Sequence, residues 1–160
     1  MRRFLFIAVA TLVASVGARA QQTQPASQTP SSTDGLACFE NLSTPEYPKD
    51  ALQGHMDGSV WTWTNVNAQG GVDRVETQVV SAWSQGEKLL PPPVEKAIRS
   101  SKIKPECWGK KVSVVFRYQL HGEATANPKV TSRNEGSNIM YIESQPATTI
   151  EAAAKASNKP

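Results

Sequence analysis

Histidine and cysteine are scarce in this chain: His55 and His121 are the only histidines, Cys38 and Cys107 the only cysteines, and no CxxC pair occurs. The clustered ligand sets that hold zinc are therefore missing, and no metal or other cofactor is expected. The motifs of enzyme chemistry are missing as well. There is no nucleophile elbow, no helical His pair and no phosphate-cradling glycine loop, since Gly70-Gly71 reads as a hairpin turn. The carboxylates Asp50, Asp57, Asp73 and Glu76 lie scattered along segments that read as surface, where a solvated role is the ordinary one. Neither catalysis nor a small-molecule substrate is expected.

A long hydrophobic run is also lacking. The apolar segment from Phe4 to about Gly17 follows Arg2 and Arg3 and closes on Ala18-Arg19-Ala20, which is the order of an export signal. It is shorter than the roughly 20 residues of a membrane-spanning helix. The sequence thus predicts a signal peptide over residues 1–20, cleaved after Ala20, and a periplasmic protein. The alternative is an inner-membrane anchor formed by the uncleaved segment. No cysteine follows Ala20 closely enough to carry a lipid, because Cys38 lies too far downstream.

Nor does one sign of charge dominate once the signal is set aside. The chain carries 17 basic and 14 acidic residues, and losing Arg2, Arg3 and Arg19 leaves 14 of each. The field that would draw nucleic acid is then absent, and nucleic acid is not an expected partner. Arg99, Lys102, Lys104, Lys110 and Lys111 form a local basic cluster that reads as solvated surface.

What the chain does have is two cysteines that would meet an oxidising compartment after export, which predicts a Cys38–Cys107 disulfide. In the chain-entropy model a loop of that length stabilises a fold by roughly 4 kcal/mol. The chain also has one patterned stretch between two poorly patterned ones. Residues 21–35 are rich in Gln, Ser, Thr and Pro and read as a flexible linker. After Gly122 the pattern fades, and residues 123–160 read as a mostly disordered tail with an apolar patch at Ile139 to Ile142 and an alanine-rich turn or two at Ile150 to Ala156. One compact domain, 36–122, remains.

Within it, Pro48 suits a first helical turn and Gly54 stops the short helix that follows. From Gly58 to Val66 the chain alternates, with Val60, Thr62, Thr64 and Val66 against Trp61, Trp63 and Asn65. A turn at Asn67 to Gly71 and renewed β-branched character from Val72 to Val80 make a hairpin. Val94, Ala97 and Ile98 recur at helical spacing after Pro91 to Pro93, in a helix that ends before Pro105. Val112, Val114, Phe116, Tyr118 and Leu120 then share one face of a last strand.

Tyr47-Pro48 with Ala51, Gly58 with Val60, Gly71 with Val72, Ala97-Ile98, Pro105, Gly109 and the closing Val112 to Leu120 together resemble the TonB carboxy-terminal domain. The resemblance covers about half of the chain. It implies an α+β fold, a small three-stranded antiparallel sheet with two helices on one face, and a protein-binding role toward outer-membrane transporters. In that family the last strand lies at a sheet edge and takes up a receptor segment as an added strand. The partner-binding candidates are accordingly Lys111, Val112, Ser113, Val114, Val115, Phe116, Arg117, Tyr118 and Gln119. The partner is an outer-membrane transporter or another envelope protein, or else a second copy of the chain in a structural, self-associating domain.

The chain departs from the transducers of that family in having no histidine before His55 and only a short linker. Where the family often carries a tryptophan in the second helix this chain has Ser101, and Cys107-Trp108 is expected to take over that packing. Alternation alone leaves open whether Trp61 and Trp63 lie under the helices. The resemblance places them on the open face as a further contact surface; the alternative is cover by the linker, the tail or Trp83.

Overall fold

The computed structural model describes residues 35–80 and 85–148. The expected export signal, most of the linker, Trp83 and the alanine-rich stretch lie outside the described residues. Among the described residues no helix is long and apolar enough to cross a membrane.

The short helix, hairpin, second helix and strand all form. Helix α1 spans Lys49–Gln53, with Pro48 as its N-cap and Gly54 closing it through a backbone N–H to Asp50 O. Strands β2 (Gly58–Val66) and β3 (Val72–Val80) pair antiparallel. Their turn is organised by Asn67, whose Oδ1 accepts the N–H of Gln69 at 3.0 Å and of Gly71 at 2.8 Å. Gly70 takes φ +84°, and a Cβ there would collide with the Trp108 indole. The turn therefore requires glycine on two counts. A short helix α2 (Gly86–Leu89) leads into α3 (Pro91–Ser100), and β5 (Lys111–Leu120) pairs antiparallel with β2. Val94, Ala97 and Ile98 are the buried stripe of α3.

The expected three-stranded sheet is incorrect. The main sheet has five strands in the order β3-β2-β5-β7-β6, and a second, two-stranded ribbon pairs β1 (Phe39–Asn41) with β4 (Lys102–Ile103). The additional strands β6 (Thr131–Glu135) and β7 (Ile139–Ser144) come from the stretch read as a tail. They form a hairpin, and β7 runs parallel to β5 with Val115 opposite Ile139 and Leu120 opposite Ser144. The physical reason is burial: Met140, Tyr141, Ile142 and Ser144 all lose nearly all their exposure. Met140 and Ile142 of the apolar patch are thus part of the core, and Ile139 and Tyr141 lie on the other face of the sheet.

The core fills the space between one sheet face and the helices. Val60, Val112, Val114, Phe116, Tyr118, Met140 and Ile142 meet Tyr47, Ala51, Leu52, Leu90, Val94 and Ile98 there. Thr62 is fully buried among them and donates its hydroxyl to Val114 O at 2.8 Å, so its burial leaves no unpaired donor. Tyr47 and Tyr118 meet edge to face with centroids 5.0 Å apart. The Tyr47 hydroxyl donates to Met56 O at 2.6 Å.

Burial pushes both tyrosine hydroxyls well above their ordinary range, helped by Asp57 beside Tyr47 and by Glu46 beside Tyr118. Tyrosines of the unfolded chain ionise near pH ~10. Above that pH the unfolded state sheds protons that the folded state keeps, so stability is complete below pH ~10 and falls as pH rises. Urea midpoints measured from pH 8 to alkaline conditions, roughly pH 8–12, are expected to drop in this way. Tyr47→Phe and Tyr118→Phe should each flatten the slope by one proton, and a slope unchanged in both variants would contradict the assignment.

Candidate recognition surfaces

The structure places β5 inside the sheet, so Lys111 to Gln119 is not an edge. Its partners are β2 along Lys111 to Tyr118 and β7 along Val115 to Leu120. Where β7 has not yet begun, the chain before β1 closes the gap: Gly35 lies so near Ser113 that a Cβ would collide with its carbonyl oxygen. Val112, Val114, Val115, Phe116 and Tyr118 are buried; Ser113, Arg117 and Gln119 are half-buried, and Lys111 is exposed. Strand addition at β5 is excluded because β7 pairs its outer side from Val115 to Leu120 and Gly35 crowds it at Ser113.

Among the described residues the free edges are β3 and β6. Which β3 amides face outward follows from the hydrogen-bond alternation. Val66 N–H donates to Lys110 O on the β5 side, which assigns the even-numbered residues of β2 to β5 and Ser59, Trp61, Trp63 and Asn65 to β3. Val115 N–H donating to Asn138 O agrees, since odd-numbered β5 residues then face β7. The β3 partners of that odd set are Val80, Gln78, Glu76 and Arg74. Val75, Thr77 and Val79 consequently present their N–H and C=O groups to the outside, and the bulge between Val72 and Arg74 ends the regular alternation at Asp73. One end of this edge is closed by Arg99, whose guanidinium donates to Val72 O at 3.3 Å. The β6 edge is shorter, five fully surface-exposed residues, and Ser132 is hydrogen-bonded to Thr44 at 2.7 Å.

The sheet face away from the helices carries both tryptophans. Val60, Thr62, Thr64 and Val66 turn inward, leaving Trp61 at 45% exposure and Trp63 half-buried. Trp61 stands between Gln78 of β3 and Val115 of β5, with Ile139 of β7 next along the row. Beside this row lies a cluster that sequence reasoning missed. The Arg133 guanidinium stacks 3.8 Å over the Tyr141 ring, Arg117 lies 5.6 Å from the same centroid, and Arg117 donates to the Tyr141 hydroxyl at 3.0 Å. Arg133 also pairs with Glu135 at 3.0 Å and Glu143 at 2.9 Å. The Arg133 hydrogen bond holds the Glu135 carboxyl below its usual range, and the Tyr141 hydroxyl adds to this. The available signal was the period-two spacing of Arg133 with Glu135 and of Tyr141 with Glu143.

The other sequence candidates serve the fold. Cys38 and Cys107 form the expected disulfide, with Cα atoms 5.6 Å apart. Trp108 packs on Gly70 and donates its indole N–H to Ile103 O at 3.1 Å, while Ser101 Oγ donates to Ala97 O at 2.6 Å and accepts from Ser43 N–H. Asp57 accepts from Leu120 N–H at 2.8 Å and Asp73 from Asn67 Nδ2 at 2.9 Å. The basic cluster disperses, with Lys102 on Glu40 at 2.6 Å and Lys111 on Glu76 at 3.3 Å. Among the described residues no group of three or more His, Cys, Asp or Glu is placed to hold a metal ion.

No protein-family model matches the chain, and no curated protein matches it either.

Proposed function

We propose that the chain is an exported protein-binding module of the cell envelope, which takes up an extended segment of a second envelope protein as an added strand. An outer-membrane transporter is the partner class that the TonB-like order of α1, hairpin, α3 and β5 favours. The observation that carries the reading is the outer side of β3, a nine-residue strand at the end of the sheet; no strand of the described residues pairs with it on that side. The regular part of that edge offers a partner backbone the outward amides of three residues, Val75, Thr77 and Val79, which is where strand addition gains its affinity. Trp61 sits one strand away on the open face, next to Gln78, and gives side chains of the added segment an apolar surface to meet.

The test is titration of the mature protein with synthetic periplasmic receptor segments, followed through backbone amide shifts. Binding is expected to shift Val75, Thr77 and Val79 first. Thr77→Pro removes an outward N–H without touching the β2 ladder, and is expected to abolish detectable binding while circular dichroism stays unchanged. Shifts confined to other strands, or no shift with any segment, would refute the reading.

A further inference from the structure

The side chains of the same edge form a self-complementary code. Along β3, Arg74 and Glu76 are two residues apart on the open face and flank Val75, whose backbone points outward. Arg74 is well exposed, with its side chain at 71%, and pairs within its own strand with Glu76 at 3.4 Å. Antiparallel pairing of two identical strands about a two-fold axis sets residue i against a constant minus i. An axis at Val75 therefore brings each Arg74 opposite the other copy's Glu76, twice per dimer. Moving the axis by one residue to Glu76 would set two carboxylates against each other, and moving it to Thr77 would leave Arg74 facing Val80. Opposite charges directly across strands stabilise the pairing and like charges oppose it.

Resting on the reading of β3 as the recognition edge, we infer that without another partner β3 pairs antiparallel with β3 of a second copy, the axis at Val75 and Arg74 facing Glu76 across it. The two five-stranded sheets then continue into one, and the isologous contact closes on itself. This pairing shields the edge from indiscriminate strand addition, and a partner segment gains access by competing for the same amides.

Sedimentation equilibrium of the mature protein, Arg74→Glu, Glu76→Arg and the double variant tests this. The unsubstituted protein is expected to dimerise reversibly. Each single reversal replaces two attractive pairs by two repulsive ones and is expected to weaken the dimer by roughly tenfold or more. The double variant, and an equimolar mixture of the two singles, restore both pairs and are expected to regain dimerisation. Glu76→Arg also loses its in-chain contact with Lys111, so urea midpoints of both singles accompany the measurement, and Arg74→Glu carries the comparison if Glu76→Arg is unstable. A monomer at every concentration, or a dimer indifferent to both reversals, overturns the inference. If that monomer still binds receptor segments in a Thr77-dependent way, the proposed function stands without it; if a charge-dependent dimer forms but no segment binds, the reverse holds.

Discussion

A chain ending at Gly122 is expected to lose its cooperative unfolding transition, although the sequence pattern alone would make residues 36–122 a complete domain. The removed segment supplies Met140, Tyr141, Ile142 and Ala147 to the buried set, with Ile142 at 0% exposure. It also supplies the parallel neighbour of β5 from Val115 to Leu120. Truncating one such buried side chain, as in Ile142→Ala, costs about 2–5 kcal/mol. Removing the whole strand combines several losses of that size and leaves the outward amides of β5 open, against a total stability of roughly 5–15 kcal/mol for a domain. Urea or thermal melts of 36–122 beside 36–148, followed by far-ultraviolet circular dichroism, check this. A truncated domain that melts cooperatively with its midpoint near that of the longer one would show that β6 and β7 are appendages.

The elements set by local rules were legible in the sequence, and the relations between distant segments were not. Pro48 and Gly54 mark the ends of α1, Asn67 to Gly71 marks the turn, and the spacing of Val94, Ala97 and Ile98 marks α3, because each signal lies within a few residues of what it specifies. The pairing of β5 with β7 is a non-local fact, with Val115 and Ile139 held together. Thr131 to Glu135 hides its strand entirely, since all five residues are exposed and no apolar alternation remains. Yet one mark of an interior β5 was in the sequence: Val114, Val115 and Phe116 are consecutive and all buried, and a strand buried on both faces reads as a continuous apolar run. Counting only the face shared by Val112, Val114 and Phe116 passed over Val115. The tryptophan face shows the opposite case. Alternation narrowed it to two orientations, and contact of Val60, Thr62 and Thr64 with the helix-covered side selects one of them.

Removing the disulfide is expected to lower the free energy of unfolding by about 4 kcal/mol, the chain-entropy value for its separation of 69 residues. Both cysteines lie in short 3₁₀ turns, Leu36–Cys38 and Pro105–Cys107, and both are buried, at 3% and 7% exposure. The bond ties the turn just before β1 to the segment just before β5. Lys104 N–H donates to Cys38 O at 2.8 Å, in register with the β1–β4 ribbon. Burial means that reductant alone is expected to leave the native protein oxidised, and that thiols become accessible only when denaturant opens the chain. Cys38→Ala with Cys107→Ala then isolates the stability term from that kinetic protection. Its urea midpoint is expected to fall accordingly, and Trp108, next in the chain to Cys107, should report the loosening in its fluorescence, because its indole holds Gly70 of the hairpin turn and Ile103 O together. A double variant within about 1 kcal/mol of the oxidised protein would mean that the ribbon and its neighbours constrain the chain ends without the bond.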